Sequence, residues 1–117
     1  MELEYKSKTS LLERTVESQR VLFKYPDRIP VIIESNDPKI PKLSKNKYLV
    51  PKDLTIGQLL YILRRHIKLE ATEAIFLFVR NTLPPTSYFV SQLYEMYRDV
   101  DGFLYLQYRS ENAFGSS

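Results

Sequence analysis

The clearest helix in this 117-residue chain is the stretch TIGQLLYILRRHI, from Thr55 to Ile67. Thr55 and Gln58 fit a capping box, in which two side chains satisfy opposite backbone amides at a helix start. The apolar residues that follow keep the i, i+3, i+4, i+7 spacing of one helical face, at Ile56, Leu59, Leu60, Leu63 and Ile67. This pattern predicts a helix that covers one face of a sheet.

Two predicted strands lie on each side of this helix. Before it, Arg28-Ile29-Pro30-Val31-Ile32-Ile33-Glu34 is typical of a β-branched strand, and residues 47–50 of a second, shorter one. After it, residues 75–80 and 103–108 predict two more strands. A short helix between them is marked by Val90, Leu93, Tyr94 and Tyr97. One long helix between two pairs of strands predicts an α+β roll of the ubiquitin type.

Another helix is predicted near the N-terminus, where Ser10 and Glu13 fit a second capping box. Pro26 ends this helix before the chain becomes extended. The apolar residues that recur on one side of it are Leu12, Val16 and Phe23. Residues 1–8 are expected to add a short, loosely held first helix.

The composition is that of a single soluble domain with a hydrophobic core. Hydrophobic residues make up 44% of the chain and charged residues 26%, and no apolar run approaches the roughly 20 residues that span a bilayer. The absence of cysteine excludes disulfides, thiolate metal sites and a cysteine nucleophile. Met1 is followed directly by Glu2, unlike a secretory signal, so we expect a cytoplasmic protein.

The charges do not indicate nucleic-acid binding. The net charge is +3, but residues of both signs are interspersed along the chain. A nucleic-acid site needs a denser basic stripe or a stacking motif, and neither is present in the sequence. The sequence also lacks a nucleophile with a base, a metal-binding spacing and a phosphate loop, so we expect no enzyme activity, cofactor or metal.

Several segments, in order and in spacing, resemble the autophagy-related ubiquitin-like modifiers, of which GABARAP is a familiar member. The resemblance covers nearly the whole chain from Glu17 onward. The segments are Arg28-Ile29-Pro30-Val31-Ile32, Lys47-Tyr48-Leu49-Val50-Pro51, Asp53-Leu54-Thr55-Ile56-Gly57-Gln58, Ala74-Ile75-Phe76, Asn81-Thr82-Leu83-Pro84-Pro85, Asp101-Gly102-Phe103-Leu104-Tyr105 and Glu111-Asn112-Ala113-Phe114-Gly115.

The resemblance implies a ubiquitin-like β-grasp fold with two additional N-terminal helices. It divides the chain into an N-terminal helical extension (1–27), a β-grasp core (28–108) and a flexible C-terminal tail with a processing site (109–117). It further implies that a cysteine protease cleaves between Gly115 and Ser116, and that activating and conjugating enzymes then join Gly115 to phosphatidylethanolamine.

The C-terminal glycine has a physical role in such chemistry. Gly115 lacks a Cβ atom, so the backbone can pass closely through narrow active sites and its carbonyl stays open to attack. Phe114 offers an anchor just before the reacting bond. The alternative is a frayed terminus in which the glycine has no role, because chain ends are commonly disordered.

Strand alternation predicts a second apolar face on the sheet. Pro30 and Ile32 point to one side of the first strand, opposite the side on which Ile29, Val31 and Ile33 enter the main core. One interpretation is that the N-terminal helix covers this second face. The resemblance implies a further role, a groove that binds receptor peptides of the form aromatic-x-x-aliphatic along the second strand, which is expected to be a sheet edge.

The resemblance assigns residues to this groove. The aromatic pocket matches Glu17, Val21, Pro30, Ile32, Lys47, Leu49 and Phe103. The aliphatic pocket matches Tyr48, Val50, Pro51, Leu54, Leu59 and Ile62. Arg28, Lys45 and Arg64 are candidate contacts for acidic residues beside the peptide, although for any one of them ordinary solvation is the favoured role. Phe76 and Phe78 are either core residues or a docking surface for the conjugation enzymes, and the resemblance favours the surface role.

His66, the only histidine, lies near a helix C-terminus, where it complements the helix dipole.

Taken together, the sequence predicts a monomeric modifier of autophagic membranes, attached through lipid only, which acts in autophagosome formation and recruits cargo receptors. The alternative is an unconjugated cytosolic adaptor that binds peptides or tubulin through the same face. The tail distinguishes them, because an adaptor has no use for Gly115.

Overall fold

The computed structural model describes residues 4–69 and 73–110. The elements are α1 (Glu4–Lys8), α2 (Leu11–Lys24), β1 (Arg28–Glu34), β2 (Lys47–Pro51), α3 (Ile56–Ile67), β3 (Phe76–Phe78), α4 (Val90–Tyr97) and β4 (Leu104–Arg109). Their order is the one that the sequence patterns predicted.

The four strands form one mixed sheet in the order β2-β1-β4-β3. β1 pairs with β2 antiparallel and with β4 parallel, and β3 pairs with β4 antiparallel. The predicted third strand ends early, because Arg80 and Asn81 have positive φ angles of 46° and 62° and turn the chain so that Val79 bridges back to Thr82. This α+β arrangement agrees with the predicted roll.

The larger core lies between the sheet and α3. Inward residues of β1, among them Val31 and Ile33, pack here with Leu59 and Leu63 of α3. The predicted capping box starts this helix, since Gln58 N donates to Thr55 Oγ1 at 3.1 Å and Thr55 N donates to Gln58 Oε1 at 2.9 Å. The apolar periodicity and the capping box together explain why α3 starts at this point and packs across the sheet.

α1 and α2 cover the opposite face of the sheet. A small cluster forms there from Tyr5 of α1, Ile32 of β1 and Phe103. The Tyr5 and Phe103 rings meet edge to face with centroids 5.6 Å apart, and burial raises the pKa of Tyr5 to about 12. The predicted alternation of β1 is therefore confirmed, and the helix-covering interpretation holds for much of this face.

Polar contacts join these two helices to the turn before β4. Arg14 Nε donates to Asp101 Oδ2 at 2.8 Å, and both side chains are buried. Lys6 Nζ lies 2.7 Å from Asp99 Oδ1, and Tyr5 N donates to Glu34 Oε2 at 3.1 Å. The expectation of a loosely held first helix is wrong, because its backbone and side chains are tied to β1 and to this turn.

The structure also shows which side of α2 packs against the rest of the fold. Leu12, Val16 and Phe23 share one side of the helix, but that side faces the solvent. The inward side instead carries Arg14 and Ser18, because it meets the polar turn before β4, and Ser18 Oγ donates to the carbonyl of Asp101. Close approach is possible because the next residue, Gly102, has a φ of 92° and no Cβ to meet Ser18.

Candidate functional site

β2 is an edge strand that presents two different rows of side chains. Pro30 of β1 lies opposite Leu49, and Ile32 opposite Lys47, so these four side chains share the face that α1 and α2 cover. Tyr48 and Val50 alternate to the α3 face. The predicted sheet edge is confirmed, and one side of β2 has no partner strand in the described sheet.

The predicted aromatic-pocket residues meet between α2 and β2. Pro30 is buried, and Ile32 and Phe103 are almost fully buried beneath the N-terminal helices. Val21 of α2 is half-buried, and Leu49 keeps 36% of its surface exposed. The set therefore has a buried apolar floor and an accessible side at Leu49.

A charged pair lies above this floor. Lys47 Nζ lies 2.5 Å from Glu17 Oε2, which joins β2 to α2. The same ammonium lies 5.5 Å from the centroid of the Tyr5 ring. Lys47 is thus shared between a carboxylate and an aromatic face, and it can turn toward an incoming carboxylate at modest cost, since both partners are partly solvated.

Of the predicted aliphatic-pocket residues, Tyr48 and Val50 point to the α3 face of β2, whereas Pro51 alternates to the same face as Leu49. Val50 and Leu59 are each only 4% exposed, so they form the base of this region. Tyr48, Pro51 and Leu54 are partly buried, and Ile62 is 39% exposed.

An open apolar hollow continues from this region along the start of α3. Leu54 and Ile62 line it together with Thr55, Gly57, Gln58 and Tyr61, which the sequence analysis did not assign. Tyr61 is 65% exposed on a helix whose inward face is already filled. An exposed aromatic at that position is the signal that could have extended the predicted site.

The three candidate charge contacts surround the groove without forming one cluster. Arg28 is exposed at the start of β1, opposite Pro51 in the register. Lys45 Nζ lies 5.0 Å from the centroid of the Tyr48 ring. Arg64 is half-buried on α3. His66 is exposed, and its Nδ1 lies 2.9 Å from the carbonyl oxygen of Ile62.

The predicted docking pair lies on the far strand, β3, and needs a correction. Phe78 is only 1% exposed, and the Arg109 guanidinium carbon lies 4.4 Å from its ring centroid. Phe76 is half-buried and pairs with Arg109 across the strands. Phe78 is therefore a buried residue and not part of the exposed surface, and Arg109 of the neighbouring strand packs over its ring.

Gly115 and Ser116 lie outside the described residues, but the structure shows where the tail leaves the fold. Ser110 donates to Asp37 Oδ2 twice, from its backbone N at 2.8 Å and from its Oγ at 2.7 Å. Burial would raise the pKa of Asp37, but these hydrogen bonds hold it below its ordinary value. Local sequence patterns do not indicate this contact, because Asp37 and Ser110 are 73 residues apart.

A second hollow, of about 300 Å³, lies between α1, the end of β1 and the 35–46 segment. Its floor includes Glu34, whose carboxylate accepts hydrogen bonds from Tyr5 N and from Asn46 Nδ2, the latter at 2.7 Å.

Residues 4–69 and 73–110 contain no group of three or more potential metal ligands. None of the helices in these ranges has the length and apolar character to cross a bilayer.

Comparison with known proteins gives a consistent result. Residues 13–115 match the family model described as autophagy protein Atg8, ubiquitin like. Autophagy-related protein 8a of Arabidopsis thaliana is 53% identical over 113 residues, covering 96% of this chain and 93% of the relative. Autophagy-related protein 8 of Kluyveromyces lactis is 49% identical over 116 residues, covering 98% and 94%.

Solved structures agree with the sequence comparisons. The crystal structure of Trypanosoma brucei ATG8 superposes with a TM-score of 0.90 at 37% identity, covering 98% of this chain and all of the other. Plasmodium falciparum Atg8, solved in complex with a Plasmodium falciparum Atg3 peptide, gives a TM-score of 0.86 at 38% identity, covering 94% and 98%. As the sequence resemblance predicted, this chain belongs to the Atg8 family of ubiquitin-like autophagy proteins.

Proposed function

We propose that this protein is a ubiquitin-like modifier that is cleaved after Gly115, conjugated to phosphatidylethanolamine and displayed on autophagosome membranes, where it recruits cargo receptors. The observation that carries the receptor-binding role is the exposed edge of β2, with a different apolar region on each of its two faces. Family membership supports the conjugation. The protein itself has no catalytic role in this scheme.

A receptor peptide binds as an added strand beside β2. Its backbone pairs with the free edge, and its aromatic side chain enters between Leu49 and α2, while its aliphatic side chain lies over Leu54 and Ile62. Each backbone hydrogen bond contributes only about 0.5–1.5 kcal/mol for any sequence. Burial of an aromatic of about 150–250 Å² contributes at most about 4–6 kcal/mol, so the side-chain pockets select the peptide.

Acidic residues beside the receptor motif add a smaller attraction. Lys47 and Arg28 lie on one side of the groove, and Lys45 and Arg64 on the other. Each exposed pair contributes about 0–1 kcal/mol, and salt screens it. These charges therefore speed encounter and tune preference among receptors, whereas the apolar pockets supply most of the affinity.

Conjugation enzymes are the second class of partner. The complex of Plasmodium falciparum Atg8 with an Atg3 peptide supports binding of a similar peptide by this chain. For enzyme docking at β3, Phe76 is the accessible member of the predicted pair. Phe78 is buried and its ring packs against the Arg109 guanidinium, so it supports this surface from beneath.

Membrane residence depends on the covalent lipid. A single acyl chain gives only marginal, reversible binding, so a two-chain phospholipid is a physically adequate anchor. Attachment requires a free carboxylate at Gly115, which Ser116 and Ser117 cover in the encoded chain. A protease must therefore first hydrolyse the Gly115–Ser116 bond, which consumes one water and releases the two serines. The activated carboxylate then forms an amide with the amine headgroup, and this condensation releases one water.

Intact mass spectrometry and membrane flotation of protein from starved cells test this function. We expect the wild type to lose both serines and gain one phospholipid, and a chain ending at Gly115 to need no protease. Gly115→Ala should stay uncut and unlipidated, because the added methyl crowds the scissile carbonyl. Membrane-bound protein that retains both serines, or normal lipidation of Gly115→Ala, would overturn the conjugation and favour the free adaptor.

A further inference from the structure

The outer side of α2 carries an apolar stripe that the fold leaves uncovered. Leu12 is 73% exposed, Val16 55% and Phe23 79%. Gln19, also exposed, continues the stripe between them. A helix advances about 100° per residue, so these four positions lie within about 60° of one another and span about 16 Å along the axis.

The spacing of the stripe is that of a helix-packing seam. Positions 12, 16, 19 and 23 follow the i, i+4, i+7, i+11 pattern, which is the d-a-d-a sequence of two heptads. The neighbouring e positions hold Glu13 and Arg20, which carry opposite charges and are both exposed. A seam with flanking charges favours another helix as its partner.

We propose that this stripe is an isologous contact between two copies of the chain, with their α2 helices packed antiparallel. In this register Leu12 lies against Phe23 of the second copy, and Val16 against Gln19. Both contacts occur twice by symmetry. The e positions then bring Glu13 beside Arg20 of the second copy, so two opposite-charge pairs flank the seam.

The charges distinguish this arrangement from two others. Parallel pairing sets Gln19 against Gln19, and it leaves Arg20 without an opposite charge across the seam, because the g position that faces it holds Thr15. A lipid surface attracts a basic helix, but the charges along one border of the stripe, at Glu13, Glu17, Arg20 and Lys24, sum to zero. A second copy of the chain is the partner that pairs both the negative charge of Glu13 and the positive charge of Arg20.

The contact is weak in dilute solution. A stable interface buries about 1,600 Å² in total, and one short pair of helices buries less than that. The protein is therefore monomeric when dilute, in accord with the sequence expectation, and self-associates when it is locally concentrated. Self-association does not require the tail, so it can be tested apart from conjugation.

Sedimentation equilibrium of the unconjugated chain from about 10 µM to about 1 mM tests the contact. We expect the weight-average mass to rise from the 13.8 kDa monomer toward a dimer, and Leu12→Gln with Phe23→Gln to remain monomeric with unchanged thermal stability. A matched control, Leu83→Gln, changes another exposed leucine away from α2 and should behave as the wild type. Monomeric wild type at the highest concentration overturns the proposal.

Cross-linking tests the antiparallel register, because the chain has no cysteine of its own. Val16→Cys mixed with Gln19→Cys should form the mixed disulfide several-fold faster than either variant forms a disulfide with itself. Faster self-linking of each variant overturns the antiparallel register. Flotation of the unconjugated wild type, but not of the Leu12→Gln, Phe23→Gln variant, on vesicles of neutral and anionic phospholipid overturns the proposal in favour of a lipid surface.

Discussion

The two faces of the sheet are stabilised in different ways. On the α3 face, inward residues of β1, β4, α3 and α4 form one large apolar core that includes Val31, Leu63 and Leu104. On the N-terminal face, the apolar cluster is confined to Tyr5, Ile32 and Phe103, with Tyr105 packed against it. Much of the attachment there is polar, through Arg14 and the turn before β4.

Because of this difference, the stability of the fold and the shape of the proposed peptide groove depend on different kinds of contact. The α3 face gains its stability from apolar area, which is non-directional and tolerant of small shifts. The N-terminal face uses a buried ion pair, which is stable only while every polar group keeps its partner. The proposed peptide groove lies along the border between them, so its floor is buried, while its open side depends on helices that are held by specific polar contacts.

Removing the buried carboxylate should have the largest effect. Asp101→Ala leaves the Arg14 guanidinium buried without its counterion, and also removes the acceptor of Phe103 N and Tyr105 Oη. We expect a loss of about 3–5 kcal/mol in the free energy of unfolding. Urea denaturation followed by circular dichroism measures it.

Asp101→Asn is the matched control, because it keeps the side-chain shape and an acceptor oxygen while removing the charge. It should lose less stability than Asp101→Ala. If Asp101→Ala costs under about 1 kcal/mol, the N-terminal face is not held by this pair and the comparison fails. A separate early transition in the variant would show instead that the N-terminal helices unfold before the α3 core.

Truncation in the α3 core should cost slightly less but act on the whole fold. Leu63 is 2% exposed beneath the sheet, so Leu63→Ala loses transfer free energy and leaves a cavity. We expect a loss of about 2–5 kcal/mol in a single cooperative transition. Leu60→Ala, at a partly buried neighbouring position, should lose less. Equal losses at the two positions would contradict the packing of α3 against the sheet through Leu63.

Leu49→Ala tests the border between the two faces. Leu49 lies on the N-terminal face of the edge strand and is 36% exposed, so its truncation should change the free energy of unfolding only slightly. We expect binding of an aromatic-x-x-aliphatic peptide to weaken by about 1–3 kcal/mol. Calorimetric titration measures this, with Leu83→Ala as the exposed-leucine control. Unchanged affinity would remove Leu49 from the groove.

The sequence predicted the α3 face better than the N-terminal face for a physical reason. Periodic apolar patterns and capping boxes are local signals, and they correctly placed β1, β2 and α3. Arg14 and Asp101 are 87 residues apart, and neither belongs to a local pattern that indicates a buried pair. The recurrence of Leu12, Val16 and Phe23 identified one side of α2, but it did not show that the opposite, polar side is the one that packs.

Similar limits apply to the candidate site. Alternation along β1 and β2 was enough to predict which side chains share a face. It did not show that Arg109 covers Phe78, because such cover depends on the neighbouring strand and its register. The contact of Asp37 with Ser110 also joins distant segments, and composition does not encode it.

The smallest predicted effect is a pH dependence confined to the N-terminal face. Burial would raise the pKa of Asp99, but the hydrogen bonds from Lys6 Nζ and from Asp101 N hold it below its ordinary value of 3.8. An acid whose pKa is lowered by folding stabilises the fold above its unfolded pKa, and loses that contribution as the pH falls through its folded pKa.

The wild type should therefore exceed Asp99→Asn in stability at neutral pH by roughly 1 kcal/mol or less. Urea denaturation of both proteins from pH 7 to pH 3 should show this difference shrinking below about pH 4, where Asp99 of the unfolded chain begins to protonate. Because Asp37 and the other acids titrate alike in both proteins, their contributions cancel in the difference. A constant difference over that range would mean that ionisation of Asp99 beside Lys6 does not contribute to the stability of the fold.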